Sequence, residues 1–205
     1  MFKNNQEAIL NLGGNKFFDK VFEENLSDRK IIINEEISSD IVEKIITQIL
    51  KFNKEDKGID IEDRKPIYLY FNSCGGDVLI GLTAIDIIKN SKTPVVGVVI
   101  GYAYSMACVM FSACKERIML PNSTLLIHDG NLSISSSGSK AKDIQKFYDK
   151  LDIKIKEIIV ENSNITEDEY EENADRELYL LADEAKEKNL CDKIVGIDCD
   201  IDDLY

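Results

Sequence analysis

Thr93-Pro-Val-Val-Gly-Val-Val-Ile-Gly-Tyr-Ala-Tyr-Ser-Met-Ala-Cys-Val-Met-Phe-Ser-Ala-Cys114 holds no charged residue over 22 positions, enough to cross a bilayer as one helix. Its composition divides it instead. Pro94, Gly97 and Gly101 interrupt a helix, Val95, Val96, Val98, Val99 and Ile100 are β-branched, and Met106, Ala107, Val109, Met110 and Phe111 favour helix. A buried strand that turns at Gly101 into a buried helix from Ser105 explains the run better than a membrane span.

Working outward, Pro66 introduces the short apolar run 67–71, the length of a buried strand. Gly75 and Gly76 follow, then Asp77 as a candidate N-cap and a helix over 78–90. Strand, glycine turn, helix and strand make a βαβ unit. Further short strands are expected at 117–120, 124–128 and 177–180, so the fold class is α/β. Before the unit, Ser38 or Ser39 caps a helix to about Phe52 in which Val42, Ile45, Ile46, Ile49 and Leu50 share a face, and 54–65 reads as a polar surface loop. After it, Ile144, Phe147, Tyr148, Leu151, Ile155, Ile158 and Ile159 recur at threes and fours, predicting a long amphipathic helix over 139–162. Thr166 with Glu169 reads as a capping box, and 182–188 as a last helix closed by Asn189 in a left-handed cap.

At 205 residues, 44% hydrophobic and 31% charged, the chain suits one domain over 1–205, with 1–28 as an N-terminal segment and 197–205 as an acidic tail. Acids outnumber Lys and Arg 38 to 25, which argues against a nucleic-acid surface. Residues 1–14 lack a basic start followed by an apolar run, so no signal or transit peptide is expected. Cysteines at 74, 108, 114, 191 and 199 are odd in number and without CxxC spacing; they fit reduced thiols in a cytoplasm rather than a disulfide frame or a zinc site.

Acyl transfer needs a nucleophile, a base, an orienter for the base and donors for the oxyanion. Ser105 lies between an apolar strand and a helix, where a tight turn exposes a hydroxyl and leaves the Met106 amide at a helix start; the plainer reading is an N-cap serine. His128, the single histidine, ends a strand and is the one side chain of ordinary neutral-pH basicity. Gly75 and Gly76 let backbone amides approach a ligand, or simply make a turn. Cys74 has no neighbour that would activate its thiol, and packing is the expected role.

Together these segments resemble the Clp protease proteolytic subunits, serine peptidases of crotonase-like α/β fold, over about residues 29–196. Tyr68-Leu-Tyr-Phe-Asn-Ser-Cys-Gly-Gly-Asp77 is similar to the family's strand and glycine turn, with Cys74 where proline is usual. Gly101-Tyr-Ala-Tyr-Ser-Met-Ala107 is similar to its serine segment, Leu120-Pro-Asn-Ser-Thr-Leu-Leu-Ile-His128 to its histidine segment, and Ala182-Asp-Glu-Ala185 to the start of its last helix. The resemblance implies a fold of stacked βαβ units with a long protruding handle helix. It also implies Ser105 as nucleophile, His128 as base, and the amides of Gly76 and Met106 as oxyanion donors, with no metal or cofactor. Further implications are a double heptameric ring, ring-to-ring contacts from Asp175 and Arg176, peptide or unfolded-protein substrates, and an AAA+ unfoldase whose docking pockets are partly lined by Tyr68 and Tyr70.

The sequence departs from the family at its acid, where Glu177 stands in place of the usual aspartate; a glutamate accepts the same imidazole hydrogen bond with one more methylene to accommodate. Asp175, on the same strand face, is the reserve candidate. The 54–65 loop reads as an insertion, and Asp129-Gly-Asn-Leu132 replaces the family pattern after the histidine. Two other functions compete with a serine endopeptidase: a non-catalytic ring subunit that modulates an active paralogue, and a crotonase-type acyl-CoA enzyme.

Overall fold

The computed structural model describes residues 14–130, 134–174 and 176–204. In β2 (Ile67–Ser73) the residues Ile67, Leu69, Phe71 and Ser73 are buried and those between them half-buried, the period-two pattern of a strand packed harder on one face. It is flanked by β1 (Lys30–Ile33) and β3 (Val95–Tyr104), and the parallel order β1-β2-β3-β4-β7 is completed by β4 (Glu116–Met119) and β7 (Lys193–Ile194). The ten-residue β3 serves two neighbours. Its Val96–Val99 half pairs with β4, and its Tyr102–Tyr104 end pairs with β5 (Thr124–Ile127), to which β6 (Leu178–Leu181) adds antiparallel.

Parallel neighbours need crossovers, which helices supply. The helices are α1 (Gly14–Ser27), α2 (Ser39–Glu55), α3 (Val78–Asn90), α4 (Met106–Ser112), α5 (Gly138–Glu161), α6 (Glu167–Ala174) and α7 (Ala182–Glu187). In α3 the buried Gly81, Ala84, Ile85 and Ile88 form a single stripe, whereas α4 is buried on every side. The uncharged run is thus a strand followed by a buried helix, and no described helix is long and apolar enough to cross a membrane. The main core lies between the sheet and α2, α3 and α4. A second apolar cluster, Val96, Val98, Ile118, Val195 and Leu204, sits on the opposite face of β3 and β4. A 3₁₀ turn over Ile201–Leu204 covers it: Tyr68 Oη donates to the Asp203 carbonyl at 3.3 Å, and Tyr70 Oη to that of Leu204.

Local expectations met the structure unevenly. Asp77 caps α3 by accepting from the Ile80 amide at 3.0 Å, and Asn189 adopts the left-handed conformation at φ 56°. Ser38 occupies the N-cap of α2 but its hydroxyl makes no capping bond, and Leu50 faces outward while Ile41 and Phe52 join the buried stripe. Only half of the capping box forms. Thr166 Oγ1 accepts from the Glu169 amide at 3.1 Å, while the Glu169 carboxylate turns to Lys188. The 54–65 segment is not all surface, because Asp56 is buried with Arg29 Nη1 and Nη2 donating to its carboxylate at 2.7 and 2.6 Å. In α5, Leu151, Ile158 and Ile159 are buried, but Ile144 and Phe147 of the expected apolar face are exposed.

Candidate active site

Ser105 sits between β3, which runs past Gly101 to Tyr104, and α4, which begins at Met106. Its backbone has φ 53° and ψ −127°, a conformation that costs a residue with a Cβ about 1–3 kcal/mol and needs its surroundings to hold it. Those surroundings are visible. The Ser105 N–H donates to the Leu126 carbonyl of β5 at 2.9 Å, and its own carbonyl accepts from Cys108 and Val109 of α4 at 2.9 and 3.2 Å. Ser105 occupies the N-cap position of α4, as the plainer reading expects, but its hydroxyl makes no capping bond.

The glycine turn lies against this elbow. A Cβ on Gly75, whose φ is +96°, would meet the Ser105 Cβ at 2.7 Å and the Met106 nitrogen at 3.0 Å. Gly76, at φ +155°, is pressed on the other side against Ile37, whose backbone bonds to the Gly75 carbonyl and the Asp77 N–H at 2.8 and 2.9 Å. Those bonds engage the residues on either side of Gly76 and leave its N–H out of the bridge. Ser73 Oγ steadies the turn from within, donating to the Glu35 carbonyl at 2.6 Å and accepting from the Gly75 amide at 3.2 Å. Met106 opens α4, so its N–H has no acceptor within the helix.

Register brings the other two residues in. Tyr104 pairs with Leu126, Leu126 with Tyr179, and Ile127 with Leu178. One step further along, His128 stands opposite Glu177, just past the ends of β5 and just before β6. Alternation puts both on the face that carries Tyr104, Leu126 and Tyr179. His128 is half-buried and Glu177 exposed. The Glu177 carboxylate is already engaged: Tyr179 Oη donates to its Oε2 at 2.8 Å, which pushes the Tyr179 phenol upward in pKa, with burial a lesser cause. No hydrogen bond among the described residues joins the Ser105 hydroxyl, the His128 imidazole and the Glu177 carboxylate to one another. Asp175 lies outside the described residues; Arg176 is exposed, its N–H donating to the Asn173 carbonyl at 3.0 Å. No cluster of three His, Cys, Asp or Glu among the described residues has the shape of a metal site.

A family model for Clp protease matches residues 13–198. The chain belongs to the Clp protease family. It is 32% identical over 178 residues to the ATP-dependent Clp protease proteolytic subunit 2 of Treponema denticola, covering 86% of each chain. It is 30% identical to a subunit 2 of Prochlorococcus marinus, covering 82% of this chain and 81% of that one, and 30% identical to a subunit 3 of Parasynechococcus marenigrum, covering 82% and 83%. The parallel sheet with its helical crossovers is the Clp protease fold, and the family is one of peptidases.

Two features of this Clp protease site were not anticipated from sequence. Tyr179 reaches Glu177 and also meets the Tyr104 ring edge-on at 5.8 Å between centroids; its spacing of two from Glu177 on a strand was the available signal. Cys74 is exposed rather than packed, because the glycine turn that follows it directs the backbone, not the thiol, at Ser105.

Proposed function

We propose that this chain is a serine endopeptidase working inside a self-compartmentalising ring. Ser105 is the nucleophile, His128 the base, Glu177 the acid that orients the base, and the N–H groups of Gly76 and Met106 the oxyanion donors. The register across β3, β5 and β6 is the observation that supports it: three chain-distant residues stand at adjoining strand ends, with Gly75 packed on the serine.

In this reading Ser105 Oγ attacks the scissile carbonyl carbon as its proton passes to His128. The carbonyl oxygen becomes the oxyanion and accepts from the two amides, which are fixed before substrate arrives and need no reorganisation. Collapse breaks the C–N bond, His128 gives its proton to the leaving amine, and water repeats the sequence to free the acyl group. Glu177 keeps the imidazole turned toward Ser105 and balances its charge while it is protonated.

The exposed Ile144 and Phe147, three residues apart on α5, supply apolar surface for the ring-to-ring contact of a double heptamer, with Asp175 and Arg176 assigned to the same contact. The relatives are named as subunits of an ATP-dependent protease; in this reading an AAA+ unfoldase feeds unfolded protein to the ring, in the cytoplasm.

A fluorophosphonate that labels the assembled wild-type protein but not Ser105→Ala, with peptide hydrolysis lost in parallel, is the expected result; an assembled wild type that neither labels nor cleaves sinks the reading. One observation favours a second function, a ring subunit without hydrolysis: among the described residues no hydrogen bond links Ser105, His128 and Glu177 to one another. Inert homomeric rings that raise the activity of a paralogue on mixing would establish it. The match to Clp protease sets aside the acyl-CoA alternative.

A further inference from the structure

We propose that Tyr179 is a positioning residue that holds the long Glu177 side chain beside His128. The inference rests on the endopeptidase reading for its catalytic meaning, while its physical content is separate. Glu177 lies two residues before Tyr179, so both project from the same face, and Tyr179 Oη donates to Glu177 Oε2 at 2.8 Å. That bond occupies one carboxylate oxygen and leaves the other free to accept from the imidazole opposite.

Tyr179 is itself fixed from the nucleophile's strand. Tyr104, Leu126 and Tyr179 form one row across β3, β5 and β6, and the Tyr104 and Tyr179 rings meet edge-on above Leu126 at 5.8 Å. Tyr104, the residue before Ser105, is anchored in turn by a 2.9 Å hydrogen bond between its hydroxyl and Thr124 Oγ1. A continuous set of contacts therefore runs from the serine elbow through two rings to the acid. A glutamate has one more rotatable bond than an aspartate, and without a second anchor its carboxylate spends less time facing His128. Charged residues adjoining the pair in the chain are Asp129, next to His128 and within electrostatic reach of Asp152 and Tyr170, and Arg176, next to Glu177.

Because His128 is the sole histidine, ¹³C at its Cε1 gives one resonance whose titration is followed directly in the assembled full chain. In Tyr179→Phe the ring contact stays and the hydroxyl goes; the carboxylate swings away and the imidazole titration midpoint falls by about half a pH unit or more. Glu177→Gln lowers it at least as far, and adding Tyr179→Phe then changes nothing further. An unchanged midpoint overturns the proposal. So does a rise, which means that Tyr179 competes with His128 for the carboxylate. In peptide hydrolysis, Tyr179→Phe lowers kcat about tenfold or more with little change in KM, and the loss shrinks to under about twofold in a Glu177→Asp background, where the shorter acid needs no second anchor. Equal losses in both backgrounds overturn it as well. A wild type without hydrolysis defeats the endopeptidase reading, and the titration still decides the role of Tyr179.

Discussion

Gly75 touches Ser105: a Cβ on the glycine would stand 2.7 Å from the serine Cβ and 2.6 Å from the Tyr104 carbonyl oxygen. Two irregular segments from different βαβ connections are thereby locked together. The positive φ of Ser105 persists because the glycine turn on one side and the Leu126 carbonyl on the other leave it no other place to go.

Gly75→Ala accordingly damages the elbow more than the fold. The new methyl meets backbone and a Cβ, neither of which can rotate away, and an alanine at φ +96° is itself strained. Fluorophosphonate labelling should slow by about 100-fold, in line with a misplacement of about 1 Å at a reacting atom, while far-UV circular dichroism stays that of the wild type. Wild-type labelling kinetics would show that the turn does not hold the serine.

Much of this was legible in residues 67–77 and 93–114, because a short apolar run flanked by glycines has few foldings other than strand and turn. The boundaries were less legible. β3 continues three residues beyond Gly101 because Tyr102–Tyr104 find a new partner in β5, a tertiary contact that no local pattern records. The burial of Asp56 escaped for the same reason: Lys54, Glu55 and Lys57 around it read as solvent-facing, and only the fold brings Arg29 to it; α1, by contrast, carries a local signal in Phe18, Val21, Phe22 and Leu26, which recur at helical spacing. Of the proposed site, motif order alone nominates Ser105, His128 and Glu177, whereas the Tyr179 contact needed the strand geometry.

The Arg29–Asp56 pair gives stability a pH dependence of definite sign. Both side chains are nearly out of water, Thr93 Oγ1 adds a 2.7 Å bond to the same carboxylate, and the Arg29 hydrogen bonds, foremost, hold the Asp56 carboxyl below its ordinary range. The unfolded chain then binds the proton first. The pair's contribution is complete above the unfolded value of about 4 and is lost as pH falls through the lower folded one. Asp56→Asn leaves the guanidinium without its charge partner and should cost about 3 kcal/mol in urea unfolding at pH 7, with the gap from wild type narrowing below about pH 4. A gap that holds constant to pH 2 would exclude the linkage.

The C-terminal turn predicts a stability effect far from the site. Leu204 is 5% exposed in the cluster with Val96, Val98, Ile118 and Val195, and the carbonyls of Asp203 and Leu204 accept from Tyr68 and Tyr70. Burial pushes the Tyr70 phenol up to about 12, as expected of a hydroxyl enclosed with its acceptor. Leu204→Ala should cost about 2 kcal/mol, the low end for a buried leucine because the turn lies at the rim. Urea unfolding checks this, and a loss below about 0.5 kcal/mol would mean that the turn is not seated on the sheet.

Thiol reactivity tests the site's exposure from its other edge. Cys108, Cys114 and Cys191 are buried, and burial pushes each thiol up to about 12, leaving about one molecule in 10⁴ as thiolate at pH 8. Cys199 is half-buried and shifted the same way, first by burial and then by Asp203. Cys74 alone among the five is exposed. A chromogenic disulfide should therefore release one equivalent rapidly from the native protein, a second slowly, and the rest only on unfolding, with Cys74→Ser removing the fast phase. Since Cys74 adjoins the glycine that touches Ser105, the bulky adduct should block fluorophosphonate labelling in wild type and leave it intact in Cys74→Ser. Five thiols released together from the native state would place the buried cysteines, and with them α4, outside the core.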